Sequence, residues 1–214
     1  VTPLLVILVH SSVQATFDRH MPMWKRHGHP VLVVCPYTKP VKTDETFWFT
    51  GPDGYCCAHT VGRWKWLLKN LVAHTRYSHY HFFEYDSIYL GKEIPEEDGF
   101  RGTICHNSDP QFVSPFYPGP PWSMDRETLE KILPSAYGNC HEHGVDDRML
   151  GAWALLAKIQ MRNHNSGGFF MNTILPEHYP AMERAITVDG AKWIHGIKSP
   201  ECLEYVTKKG WVEE

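Results

Sequence analysis

The chain has 214 residues, with 21 Lys and Arg against 24 Asp and Glu, so its formal net charge is −3 with histidine neutral. That near balance speaks against a partner held by bulk charge, and we expect neither nucleic acid nor an anionic membrane surface. The length suits one large domain or two small ones and can bury a substantial core.

Pro3 to Val9 is a continuous apolar run rich in β-branched residues, as expected of a buried parallel strand. His10-Ser11-Ser12 follows, where a strand gives way to loop and helix; residues 13 to 28 read as that helix, ending at Gly28. Val31 to Cys35 is a second buried strand stopped by Pro36, so the chain opens on a βαβ unit with parallel strands. Residues 37 to 60 read as irregular, with Pro, Gly and Asp punctuation. Trp64, Leu67, Leu68, Leu71 and Val72 recur at helical spacing between Gly62 and Thr75. Tyr80 to Phe83 is a strand that runs into two acids spaced one apart, Glu84 and Asp86. Thr103 to His106 reads as a short strand, and the proline-rich residues 108 to 124 read as loop. Ser123 or Asp125 caps a helix over 126 to 137, and Asp146 or Asp147 opens another with Met149, Leu150, Trp153, Leu156 and Ile159 on its apolar side. Gly167-Gly168 breaks the chain. Val188 to Ile194 then leads into His195-Gly196-Ile197-Lys198, and Ser199-Pro200-Glu201 starts a last helix. With no repeat, low-complexity segment or linker, the expectation is one compact α/β domain.

No stretch reaches the ~18 apolar residues of a membrane span. Leu4 to Val9 lacks the basic flank and small-residue cleavage site of a secretory signal. Cysteines at 35, 56, 57, 105, 140 and 202 fit neither a zinc finger nor a CxxC pair, and read as reduced thiols of a cytosolic protein. Cys140-His141-Glu142-His143 is not taken as a zinc site, because its histidines lie two apart rather than four. A start without Met and an end at Glu214 suggest one domain of a longer polypeptide.

The chemistry concentrates in His81-Phe-Phe-Glu-Tyr-Asp-Ser-Ile-Tyr-Leu90. Charge is costly in a core unless it is paired or holds a metal. Two carboxylates at a strand end suit a hard divalent cation with waters and a phosphate, and open α/β sheets bind ligands at such ends. The plain alternative is a turn or salt-bridge pair. His195 is a candidate neutral nitrogen ligand, and Lys198 a candidate point charge for a phosphate. Gly196 lets backbone approach closely. Arg63 could reach a pyrophosphate or base, against its ordinary role on a solvated helix face. For Asp146 and Asp147 the plain alternative is helix capping.

Four signals come in a particular order: Val9-His10-Ser11; Glu84-x-Asp86; Pro118-Gly-Pro-Pro-Trp-Ser-Met-Asp125 followed by Val145-Asp-Asp-Arg-Met-Leu-Gly151; and His195-Gly-Ile-Lys-Ser-Pro200. The order resembles, over most of the chain, the nucleotide-sugar-dependent glycosyltransferases of the GT-A fold. The His81-to-Ser87 motif and the Gly119-to-Asp125 segment also look like a domain, the N-terminal one, of the large glycosyltransferases encoded by chlorella viruses. The resemblance implies a single GT-A (Rossmann-like) domain over 1–214, with a mixed, mainly parallel central sheet flanked by helices. Residues 1–107 would form the nucleotide-binding half and residues 108–214 the acceptor half. In that family a DxD motif holds Mn2+ or Mg2+ against the donor diphosphate. Glu84 stands here for the first Asp, so Asp86 is the expected direct ligand and Glu84 acts on the ion, through water, or on ribose. A late histidine completes the metal shell in many retaining members, a place His195 would take, with Gly196 and Lys198 in a compressed form of the family's His-x-x-Gly-x-x-Lys-Pro pattern. His10, Ser11 and Tyr85 fall with the nucleotide, and Trp122 in a loop near donor sugar and acceptor, with structural packing of its indole the plain alternative. Asp146 or Asp147 supplies the catalytic acid group facing acceptor or donor sugar, with Asp147 slightly favoured. The implied activity is transfer from UDP-glucose, UDP-galactose or UDP-rhamnose to a glycan acceptor, on capsid protein and in the host cytoplasm if the viral likeness holds, with retention of configuration preferred. A non-catalytic nucleotide-sugar or carbohydrate-binding module is the main rival. A metal-dependent phosphohydrolase ranks below both, for want of a second acidic cluster at a strand end.

Overall fold

The apolar runs at the start of the chain become neighbouring buried strands in a computed structural model that describes residues 3–50, 57–106, 114–137 and 146–212, with side chains described for these except 49–50 and 57–60. β1 (Leu4–Leu8), α1 (Gln14–Lys25) and β2 (Val31–Pro36) form the expected βαβ unit, the strands parallel with Leu5 opposite Val31. There follow β3 (Thr46–Thr50), α2 (Cys57–His74), β4 (His79–Glu84), β5 (Ser87–Tyr89), β6 (Phe100–His106) and β7 (Phe116–Asp125). The remainder comprises α3 (Arg126–Ala136), α4 (Asp146–Leu156), β8 (Met161–Asn163), β9 (Gly168–Phe170), α5 (Tyr179–Thr187), β10 (Trp193–His195) and α6 (Pro200–Lys208). Asp125 is the cap of α3, its carboxylate accepting the Thr128 N–H, and Ser199 caps α6 in the same way through Cys202.

Seven strands join in the order β3-β2-β1-β4-β7-β6-β8. β7 runs antiparallel to both β4 and β6, and the other pairings are parallel. The protein therefore has the expected α/β class: a mixed, mainly parallel sheet flanked by helices. Side-chain alternation along the strands decides what covers each face. Leu4, Val6, Leu32, Val34 and Phe82 pack with Trp64, Leu67, Leu68 and Leu71 of α2 and with α3 and α4. Leu5, Ile7, Val31, Val33 and Phe83 point the other way, against Phe17 and Trp24 of α1. A second sheet, β5-β10-β9, packs its Ile88 and Ile194 on α5 and α6. Leu156, expected on the apolar side of α4, is exposed at the helix end.

Two segments differ from the sequence reading. Residues 37 to 60 are not irregular throughout: Thr46–Thr50 is the edge strand β3, and α2 begins at Cys57. The short Thr-Phe-Trp-Phe-Thr run is masked in sequence by the turn residues around it. Residues 116 to 125, expected as loop, form the ten-residue β7. Its prolines are tolerated because β4 pairs only with residues 122–125, whereas Pro118, Pro120 and Pro121 lie beyond that pairing. The β6 register also shifts between Arg101 and Thr103, opposite the Pro-Pro step. Cys56 and the Cys140-His141-Glu142-His143 segment lie outside the described residues. Cys35, Cys105 and Cys202 are free thiols.

Trp122 changes role as a result. Its ring is fully buried, 5.5 Å from Trp64 in an edge-on contact, and its indole N–H donates to the Pro118 carbonyl at 2.6 Å. Strand alternation points it into the core, so it offers no open face to a sugar. Trp122→Ala should lower stability by about 3–5 kcal/mol, read from urea unfolding. A loss below about 1 kcal/mol would contradict the core assignment.

Candidate metal centre

β4 ends at Glu84, and Tyr85-Asp86 makes the turn into β5. β1 sits between β2 and β4, and the helices α1 and α2 cover opposite faces. A crevice opens outside the carboxyl ends of strands at such a switch point. Leu8 pairs with Glu84, which brings the residues just past β1 beside the acids. The His10 ring meets the Tyr85 ring edge-on at 5.8 Å, and the Ser11 N–H donates to the Lys39 carbonyl.

His195 arrives from the far end of the chain by strand pairing. β10 runs antiparallel to β5 with His195 opposite Ser87. The Asp86 carbonyl accepts the N–H groups of both Gly196 and Ile197, at 3.2 and 3.0 Å. His195 Nδ1 therefore lies 3.3 Å from Asp86 Oδ1, and Nε2 lies 3.5 Å from Glu84 Oε2. Lys198 Nζ is 3.7 Å from Asp86 Oδ2. One ligand atom from each of Glu84, Asp86 and His195 falls within 4.8 Å of the others.

This cluster is electrostatically costly as it stands. Asp86 is fully buried, and neither carboxylate oxygen has a hydrogen-bond partner. Burial raises its carboxyl to about 6 against the pull of Lys198. Glu84 is pushed well above the usual carboxylate range by burial and by the charges of Asp86, Asp146 and Asp147. His195 is lowered to about 3 by burial and by Lys198, which leaves a neutral imidazole. Buried acceptors without donors, a second carboxylate and a neutral ring nitrogen fit a divalent cation.

Asp146 and Asp147 open α4 within the electrostatic reach of Glu84. Asp146 accepts the Trp64 indole N–H at 2.8 Å and feels the Arg63 charge, although burial still raises its carboxyl. Asp147 is raised to about 6, chiefly by burial. Its Oδ1 accepts the Arg148 N–H. Arg63 thus stands by Asp146. Gly196 has φ +102°, and a Cβ there would come 2.4 Å from the Met171 carbonyl oxygen. Close packing of β10 on that loop already requires a glycine.

Two residues in this cluster had no assigned part in the sequence reading. Ser87 Oγ lies 2.9 Å from His195 Nδ1, and the Phe170 ring stacks on the imidazole with centroids 5.1 Å apart. A hydroxyl directly after Asp86 was a visible signal for Ser87. Phe170 gave none, because only the β9–β10 pairing brings it there. A cavity of roughly 580 Å3, lined by Trp48, His74, Arg76 and Tyr77 among others, opens at the opposite end of the sheet. Among the described residues the only cluster of cation ligands is at the carboxyl end, so the chemistry favours that end. No protein-family model matches the chain, and no curated protein matches it.

Without a cation, Asp86 keeps its proton to about pH 6 in the folded protein but only to about 3.8 unfolded. Ionising it in that window therefore costs the native state stability. Asp86→Asn should be more stable than the parent above pH 6 in chelator, on the order of 3 kcal/mol, and the difference should vanish near pH 4. Denaturant unfolding across pH checks this; an Asn variant less stable at pH 7 would refute the buried-charge reading.

Proposed function

We propose that this chain is a metal-dependent GT-A glycosyltransferase that moves a hexose or deoxyhexose from UDP-glucose, UDP-galactose or UDP-rhamnose to a glycan acceptor. The observation that carries the reading is the meeting of Glu84, Asp86 and His195 at the sheet's switch point, with Lys198 beside them. Mn2+ or Mg2+ bound there supplies Lewis-acid neutralisation of the departing diphosphate. Asp86 and His195 would hold the ion, and Glu84 would act on it through water or contact ribose. Lys198 sets its ammonium against the β-phosphate as a point charge. His10, Ser11 and Tyr85 border the nucleoside, and Gly196 keeps the backbone beside the histidine compact.

In the transfer, the bond from sugar C1 to the β-phosphate oxygen breaks and the acceptor hydroxyl oxygen bonds to C1. In a retaining front-face path, which we favour, the hydroxyl proton passes to the departing phosphate oxygen. In an inverting path Asp147 takes it as general base, and its raised carboxyl suits that task less well below about pH 6. Asp146 is the weaker candidate because Trp64 already engages it. The likeness to the chlorella-virus enzymes adds a setting: glycan synthesis on capsid protein in the host cytoplasm. No helix among the described residues is long and apolar enough to cross a membrane.

The test is release of free UDP from UDP-sugars with Mn2+ present. We expect turnover that disappears in excess EDTA and falls at least ~100-fold in Asp86→Ala, with circular dichroism unchanged. Full turnover in EDTA would sink the reading. Binding of UDP-sugars with no UDP released and no sugar transferred would favour a non-catalytic binding module.

A further inference from the structure

We infer that Ser87 is the positioning residue that fixes the tautomer of His195 and so decides which ring nitrogen meets the cation. The inference rests on reading the Glu84–Asp86–His195 cluster as a cation site. The two ring nitrogens have unequal surroundings. Nδ1 has the Ser87 hydroxyl at 2.9 Å and Asp86 Oδ1 at 3.3 Å. Nε2 has Glu84 Oε2 at 3.5 Å, on the half-buried side of the cluster. A neutral imidazole carries one proton, and that proton belongs where acceptors are nearest. It therefore sits on Nδ1 and is donated to Ser87 Oγ, leaving the Nε2 lone pair toward Glu84.

Ser87 is well placed to do this. It is fully buried, and strand pairing sets it opposite His195. Its own carbonyl accepts the Trp24 indole N–H at 2.8 Å, which pins β5 to α1. Phe170 stacks nearly parallel on the ring, at 12°, and so fixes its plane. Phe170 in turn occupies the space that a Cβ on Gly119 would need, 2.9 Å from the ring. The hydroxyl also spares Asp86: with Ser87 accepting the Nδ1 proton, Asp86 Oδ1 stays available to a cation. Hydrogen bonds of this kind to a ligating histidine typically govern metal affinity 10- to 100-fold.

Two measurements on the whole chain test this. Nitrogen-15 imidazole spectra of the metal-free protein, with the His195 signal assigned by its loss in His195→Asn, should show Nδ1 protonated and Nε2 bare. Mn2+ titration followed by electron paramagnetic resonance should show a dissociation constant about 10- to 100-fold weaker in Ser87→Ala, with thermal unfolding in EDTA little changed and affinity recovered in Ser87→Thr. An Nε2–H tautomer in the parent protein overturns the inference, and needs no variant to fold. Parent-like Mn2+ affinity in Ser87→Ala overturns it as well. If the parent binds no Mn2+, the cation reading itself fails, while the spectra still decide the tautomer.

Discussion

A buried aspartate with two unsatisfied oxygens is the constraint around which this carboxyl edge is arranged. Asp86 has no hydrogen-bond donor for its carboxylate, yet its own main-chain carbonyl accepts two. The two facts are linked. The carbonyl holds Gly196 and Ile197, and the strand pairing that follows brings His195 and Lys198 to the carboxylate. A charge that burial disfavours is thus kept in place by backbone bonds that do not depend on its protonation. Glu84 adds a second carboxyl group to the same spot, its ionisation opposed by burial and by the neighbouring acids, which no stability argument explains. Acids gathered this way against their own repulsion are a mark of ligand chemistry.

The small sheet is what makes the arrangement rigid. β10 supplies His195, and its neighbour Trp193 is fully buried under the main sheet. Trp193 stacks on His164 at 4.1 Å, and His164 Nδ1 lies 2.5 Å from Glu97 Oε2, with both side chains buried. Glu97 also accepts the Asn165 N–H, while His164 Nε2 lies 3.0 Å from the Pro121 carbonyl. The loop after β5, the turn between β8 and β9, and the proline-rich end of β7 are thereby tied together beneath β10. The His164–Glu97 pair is thus well satisfied, while the buried Trp193 indole N–H contributes packing only. It places the strand that carries His195 on a firm support, as a preorganised site needs.

What could be read from sequence followed from how local each signal was. β1, β2 and β4 were legible because continuous apolar runs have one good fate in an α/β chain, and α2 was legible because Trp64, Leu67, Leu68 and Leu71 mark one helical face. Glu84 and Asp86 stood out because charge interrupts such a run. β7 was missed because prolines normally argue against an interior strand, and only the uneven pairing with β4 and β6 shows where they are harmless. The choice between a sugar-facing and a packing role for Trp122 turned on the same segment, since only a strand gives it a defined, buried face. The partnerships of His195 with Ser87 and Phe170 depend on strand pairings between distant segments, which composition and spacing do not encode.

The acids at the start of α4 divide along the same physical lines. Adjacent residues on a helix point about 100° apart, so one sequence pair can serve two environments. Half-buried Asp146 turns toward α2, where Trp64 donates to it and Arg63 offsets its charge. That bond joins α4 to α2. Burial chiefly raises the Cys105 thiol and the Tyr117 phenol, and the Asp147 charge adds to both, which sets Asp147 toward the ends of β6 and β7. Both acids also act on Glu84. A cation beside Glu84 would relieve repulsion across the whole group and would so ease the ionisation of Asp147. One acid thus anchors the helix to α2, and the other is buried with its charge within reach of Glu84.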